Sequence, residues 1–512
     1  MAEPINVVES GLRRVIVSVA VIAATLLEVV DTTIVNVALP NIQGNFGVAV
    51  DRAAWIVTGY IIANVVVIPI TPWLAARFGR RQYFFASIVM FTIASMMCGF
   101  APSFGALVFW RIMQGVGGGG LISTSQAILR DTYTLKEQGK AQGIFAMGVI
   151  VGPALGPVLG GWITDNLTWR WAFYINLPVG IVAAVLIWLY LRNPSEPQRL
   201  KKLDWAGLGL LAMGLGSMQY VLDQGQQFDW LSDPNIRWFT ALAIFGIGSF
   251  IWWTLRSKIP VVDLSVLKLR QVVAGSALGA VLGISLYGSI LVLPQYLQNS
   301  LGFTATMSGL TMLVRALAIM VFTPVTAMLA GRGTVDVRLS VAVGFVLLGI
   351  SNWILADVTT PQAQFGTLIF PLILSGVGLS QIFVPLSIAV LGGVPDKDVP
   401  ATSAFFNLSR QVGGSIATAV LVTLLVRGVS SHQADLTASI NLHSLPAAQF
   451  LQANGGQHST AALANLEGVV EGQAAVQSYA DTSRWVAVIT IALAPLVILL
   501  NKPRLSGPIP AE

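Results

Sequence analysis

The chain is divided into apolar runs of about twenty residues, the length at which an α-helix crosses the roughly 30 Å hydrocarbon core of a bilayer. They fall at about 15–38, 53–75, 82–101, 104–128, 140–162, 169–191, 203–222, 236–255, 271–297, 305–330, 338–356, 363–391, 399–427 and 483–500. In lipid a backbone must satisfy its own donors and acceptors, so runs of this length predict helices. The expected fold is all-α and integral to the membrane, with 14 transmembrane helices, one per run. Hydrophobic residues make up 55% of the chain and charged residues 10%, which excludes a soluble domain of this size. The first run is long enough to span and contains Glu28 and Asp31, so it reads as an uncleaved helix and not as a signal peptide.

Lysine and arginine alternate sides along the chain. One set of connections holds Arg13, Arg14, Arg77, Arg80, Arg81, Arg130, Lys136, Lys140, Arg192, Arg199, Lys201 and Lys202. It continues with Arg256, Lys258, Lys268, Arg270, Arg332, Arg338, Lys397, Lys502 and Arg504. The opposite set holds only Arg52, Arg170, Arg237, Arg427 and Arg484. Basic loops stay inside, so both termini are expected in the cytoplasm. The net charge of +6 is then a topology signal and not a footprint for nucleic acid.

Two connections are long. The segment 192–202, RNPSEPQRLKK, has the proline and charge content of a linker. The segment 428–482 is polar, lies on the outer side and carries His432, His443 and His458. Their spacing fits no metal-binding pattern, which favours a solvated loop with a docking surface. Cys98 is the lone cysteine, so neither a disulfide framework nor a thiolate metal site is expected.

Charges inside the apolar runs cost a few kcal/mol each and are functional candidates for that reason. The first run holds Glu28 and Asp31, the fourth Arg111, the tenth Arg315 and the thirteenth Arg410. At about 1.5 Å per residue, Asp31 and Arg111 fall at the same depth on antiparallel helices and are expected to pair. Glu28 and Asp31 share a helix face and would titrate as a coupled unit. No histidine lies in an apolar run, which leaves these carboxyls as the intramembrane groups able to take up and release a proton. A static Asp31–Arg111 pair is the alternative, and it leaves Glu28 unexplained. Arg315 and Arg410 have no intramembrane acid in their own half of the chain, a balance that favours anionic or zwitterionic cargo. No nucleophile–histidine pair or intramembrane metal cluster points to an enzyme.

The fifth run places Gly148, Gly152, Gly156 and Gly160 on one face, with Pro153 and Pro157 between them. Such a face serves close helix packing or a moving hinge, and spacing leaves both open. The run Gly117 to Gly120 is followed by no Lys-Ser/Thr and is read as a packing feature, not a phosphate loop.

Several stretches together resemble a known family. Asp31 to Pro40 (DTTIVNVALP), Arg111 to Gly119 (RIMQGVGGG), Gly152 to Gly161, Trp169 to Gly180 and Pro260 to Leu264 (PVVDL) follow one another in register with the runs. On these the chain resembles the major facilitator superfamily, and within it the fourteen-helix drug:proton antiporters of the EmrB type. The resemblance implies a six-helix bundle over 1–200, two inserted helices over 201–262 and a second bundle over 263–512. Between the bundles it implies a cavity that opens alternately to either side. It assigns Asp31 and Arg111 to the proton pathway. A conformational role is implied for Arg77, Gly79 and Arg80 and for the glycine-proline run of Gly152, Pro153, Gly156, Pro157 and Gly160. Trp55, Tyr60, Asn64, Gln114, Gln295 and Gln298 lie in helices that line the family's cavity, although each also suits ordinary packing. The family's energy source is the proton gradient, with no cofactor. Its outer segment before the last helix is similar to that of exporters working with a periplasmic adaptor and an outer-membrane channel, which implies a bacterial inner membrane.

The chain departs from the pattern at Pro72 and Ala76, where the family has glycine and aspartate; Glu28 and Arg315 belong to no family motif. The expected function is proton-coupled efflux of small, largely hydrophobic compounds. Export of an endogenous metabolite such as a siderophore or antibiotic is the alternative.

Overall fold

A computed structural model describes residues 9–134, 137–193, 204–257, 260, 262–331, 335–391, 394–395, 398–440, 445–454 and 459–500. Outside them lie most of the expected linker, His443 and His458, and the basic residues Lys136, Arg199, Lys201, Lys202, Lys258, Arg332, Lys397, Lys502 and Arg504.

The described chain is helical throughout the apolar runs. The first group comprises α1 (Gly11–Phe46), α2 (Val50–Val67), α3 (Thr71–Phe78), α4 (Arg80–Gly99), α5 (Phe104–Gly118), α6 (Leu121–Thr132), α7 (Gln138–Asn166), α8 (Trp171–Tyr174) and α9 (Asn176–Tyr190). A hairpin of α10 (Trp205–Gln224) and α11 (Pro234–Arg256) follows. The second group comprises α12 (Arg270–Gln295), α13 (Ala305–Gly331), α14 (Val337–Val358), α15 (Phe365–Leu391), α16 (Val399–Ser439), α17 (Leu445–Ala453) and α18 (Thr460–Leu493). Among the described residues, 11 helices are long and apolar enough to cross a membrane.

Local chemistry sets several boundaries. Asp233 caps α11 by accepting from the amides of Asn235 and Ile236, with Pro234 at the first helical position, where its missing N–H costs nothing. Gly79 joins α3 to α4 at φ +90°, a backbone conformation that suits glycine. The fourth run is not one helix: it breaks between α5 and α6 at Gly119 and Gly120. A Cβ at Gly115 would press on the Tyr60 carbonyl, at Gly117 on the Phe91 backbone and at Gly120 on the Tyr83 hydroxyl. Close approach therefore accounts for the glycine run, as its sequence implied.

The two groups meet along α7 and α13. Gly309 faces Val158 toward one end of this seam, and Gly143 faces Ala327 toward the other. Among the described residues, hydrogen bonds between the groups lie at the end at which the chain begins. Among the described residues each of them ends on Ser123 or Gln126 of α6, with Ser387, Ser403 and Asn407 as partners.

The segment 428–482 corrects an expectation. Where the polarity of 428–482 suggests a loop, α16 continues to Ser439, α17 spans Leu445–Ala453 and α18 begins at Thr460. The last span is accordingly longer than 483–500. The hydroxyl of Ser478 donates to the Leu425 carbonyl at 2.8 Å, and His432 meets Asp481 at 2.8 Å, so the extensions of α16 and α18 are packed together. Polar helices pair in water through such contacts, and hydropathy does not register them.

Candidate functional site

The polar centre of the first group is built around α1. Asp31 and Arg111 are joined at 2.6 Å and neither side chain has any exposure. The second carboxylate oxygen of Asp31 accepts from Gln114 at 2.8 Å and from Asn176 at 2.9 Å. Arg111 also donates to the Ile56 carbonyl at 2.9 Å and to Gln114 at 2.7 Å, and its guanidinium lies 4.4 Å from the centre of the Tyr60 ring. Two charges at this depth are tolerable only when paired and bonded; both oxygens of Asp31 are bonded here, as are Nε and Nη1 of Arg111, while its Nη2 has no hydrogen-bond partner among the described residues.

Glu28 belongs to a second cluster. One carboxylate oxygen accepts from Asn64 at 2.8 Å and the other from the Ile122 amide at 3.2 Å. That amide is free because α6 starts anew after the glycine break, which turns the N-terminus of a half-helix toward an acid buried at mid-membrane. Helix N-termini carry unbonded N–H groups and a partial positive charge, so they suit a carboxylate. Arg410 on α16 is near enough for its charge to act on Glu28. It also donates to Asn407 at 3.2 Å, and Asn407 donates to Gln126 at 3.0 Å.

The structure thus brings together Asp31, Arg111, Gln114 and Tyr60, and separately Glu28 and Asn64 with Arg410 at hand. Trp55 is elsewhere: it stacks on Tyr220 of α10 with ring centres 5.4 Å apart. Gln295 ends α12 and Gln298 lies in the π turn Tyr296–Ser300, both half-buried and in the second group. Arg315 is buried in α13.

The glycine face of α7 lies on α1, the helix that carries the two acids. Gly148 faces Ile22 and Thr25, Gly152 faces Val29, Gly156 faces Thr33, and Gly160 faces Ile34 and Val37. Pro153 and Pro157 lie inside a helix that runs unbroken from Gln138 to Asn166. In the last turn of α3 Arg77 is exposed, and at the start of α4 Arg80 pairs with Asp131 at the end of α6. Asp131 lies 3.6 Å from Arg130 as well. With Ala76 in place of the pattern's aspartate, the counter-charge at this turn comes from another helix.

Four participants have no counterpart in the sequence reading. Asn176 stands in a stretch noted only for its pattern, and Gln126 is a single amide in an ordinary run. The Ile122 N–H is a backbone group. Asp223, the fourth, bonds with Thr58 of α2 and lies one residue beyond the expected end of its run; a wider window would have included it.

A family model described as Major Facilitator Superfamily matches residues 21–418. The chain is 35% identical over 431 residues to the Multidrug export protein EmrB of Escherichia coli (strain K12), covering 84% of each. It is 34% identical over 451 residues to the Fatty acid resistance protein FarB of Neisseria gonorrhoeae, covering 88% of this chain and 86% of that one. In three dimensions it is similar to the human organic anion transporter MFSD10 (TETRAN), with a TM-score of 0.59 and 14% identity over 94% of this chain and all of the other.

Proposed function

The chain belongs to the major facilitator superfamily, among the EmrB-type transporters, and we propose that it exports small, largely apolar compounds by exchanging them for protons. The observation that carries this reading is the pair of acids on α1: Asp31 fully enclosed with Arg111, and Glu28 beside the surface where the two groups bond. The relatives' names extend the cargo range from drugs to fatty acids.

A proton on Asp31 removes its charge attraction for Arg111 and leaves the guanidinium with the Ile56 carbonyl and Gln114. A proton on Glu28 weakens its hold on Asn64 and on the start of α6. That second event bears on α6 itself, the helix whose Gln126 bonds to Ser403 and Asn407 of the second group. Uptake of protons from outside therefore loosens the seam at the end where the chain begins, and their loss re-forms it, which is alternating access driven by the proton gradient. Each charge moved through about 100 mV supplies roughly 2.3 kcal/mol, or some fifty-fold in concentration.

The basic residues support cytoplasmic termini in a bacterial inner membrane, with the seam at the inner end closed. The paired extensions of α16 and α18 support contact with a periplasmic adaptor and, through it, an outer-membrane channel. Purified protein in vesicles tests the reading. An imposed pH gradient should drive accumulation of a lipophilic dye, and accumulation unaffected by collapsing the gradient would refute proton coupling.

A further inference from the structure

Arg315 lies ten residues into the 27-residue helix α13, close to mid-membrane, and is 5% exposed. The chain has no acid between Asp263 and Asp336. Of the first group's intramembrane acids, Asp31 is occupied by Arg111, Gln114 and Asn176, and Glu28 by Asn64 and Ile122. Among the described residues Arg315 makes no ion pair or side-chain hydrogen bond. A buried cation with no counter-charge is costly, and such groups in membranes mark ligand or ion pathways.

A second observation points the same way. Ser308, Arg315 and Thr326 are seven and eleven residues apart, close to two and three turns, and so lie on one line of the helix, with Thr323 beside it. The hydroxyls of Ser308, Thr323 and Thr326 are buried and make no hydrogen bond among the described residues. Helical serine and threonine usually bond back to a carbonyl one turn earlier, as Thr311 does to Met307; these three do not. The line runs between two packing edges of α13. One edge meets Leu155 of α7 through Leu313 and Ala316, and the other meets Gly376 of α15 through Ala318 and the Arg315 carbonyl. The opposite side, with Leu317 and Val321, is the exposed one.

We infer that Arg315 is an anion subsite that takes the carboxylate of an amphiphilic acid; the free hydroxyls lie about 10 to 17 Å from it along the helix and extend the polar line of α13 beyond the carboxylate's own contacts. A guanidinium binds a carboxylate in two parallel hydrogen bonds, and it does so best where water is excluded. The acid's chain then lies along the apolar seam at Leu155 and Leu313. Export is the assumed purpose of this binding, but the binding itself can be tested without transport.

Protein in neutral phosphatidylcholine nanodiscs is titrated with dodecanoate, dodecanol and dodecyltrimethylammonium, which share a chain and differ in charge. The expected result is dodecanoate binding at least tenfold tighter than dodecanol, with the cation weakest. Arg315→Gln should erase the preference, Arg315→Lys should reduce it because an ammonium does not make the two parallel bonds, and Thr326→Val, about 16 Å along the helix from Arg315, should leave it unchanged. Equal binding of dodecanoate and dodecanol by the wild type overturns the subsite, as does a preference that survives in Arg315→Gln. If that variant does not fold, a dodecanoate affinity that Arg315→Lys leaves unchanged overturns it instead. Loss of gradient-driven transport with the binding preference intact would count against the export reading alone.

Discussion

Asp31 and Arg111 meet at 2.6 Å with no exposure on either side chain, so the pair is closed to solvent and ties α1 to α5. This separates two roles that substitution can distinguish, carrying the proton and holding the helices.

Asp31→Asn keeps the size of the side chain and its capacity to accept from Arg111, but it cannot titrate. Gradient-driven accumulation should be abolished, while exchange of labelled for unlabelled substrate across the vesicle persists. Arg111→Met leaves Asp31 buried without its counter-charge, and removing one partner of such a pair costs about 3–5 kcal/mol. Asp31→Asn likewise leaves Arg111 without a counter-charge, so the melting temperatures of both variants should fall well below that of wild type; variants as stable as wild type would show that the pair is not what holds α1 to α5.

Gly156 lies against the Thr33 side chain and Gly152 against Val29. Overpacking a tight interface costs about 1–3 kcal/mol. Gly156→Ala should lower thermal stability and slow transport, whereas Gly248→Ala, where no neighbour lies within 4 Å, should do neither. The two variants compared by thermal unfolding in detergent decide it.

Gln126 is the common partner of Ser387, Ser403 and Asn407. Gln126→Ala should free the seam, and a cysteine placed at Ser387 should then react several-fold faster with an impermeant maleimide in inside-out vesicles. The native Cys98 is buried and gives little background. An unchanged rate would mean that the remaining contacts, among them the Ser403 hydroxyl on the Ser123 carbonyl, keep this end closed without Gln126.

Glu137, at the turn before α7, provides a control for pH. Its carboxyl is held below the usual carboxylate range by the Thr134 hydroxyl and by the Arg14 guanidinium. A depressed acid stabilises the fold above its unfolded pKa, and that contribution is lost only as pH falls through the folded value. The Arg14–Glu137 contact is therefore constant from about pH 5 upward, and Glu137→Gln should leave the pH profile of transport between pH 5 and 8 unchanged.

Replacing residues 440–459 by a short glycine-serine linker removes α17 but keeps the α16–α18 contact at Ser478 and Leu425. Transport into vesicles should stay within about twofold of wild type, while resistance of whole cells falls at least four-fold. Equal losses in both assays would remove the case for an adaptor at this surface.

The membrane helices were legible because hydropathy over twenty residues is a direct reading of the solvent each segment needs. The Asp31–Arg111 pair was legible because depth along two antiparallel helices is simple arithmetic. Depth does not say which face a side chain occupies, which is why Trp55 stands against α10 and not with Tyr60 and Asn64. The extensions of α16 and α18 were hidden because a helix paired in water can be as polar as a loop. The partner of Glu28 was hidden for another reason: it is a main-chain group exposed by a break that two glycines create.

That last contact has a consequence for mutational scanning. Replacing Ile122 by alanine, or by any residue other than proline, leaves its N–H in place, so a conventional scan of α6 passes over the group that fixes one oxygen of Glu28. Only Ile122→Pro, or an ester in place of that amide, deletes the donor, and a map of essential side chains would mark this position as dispensable while the chemistry there is not.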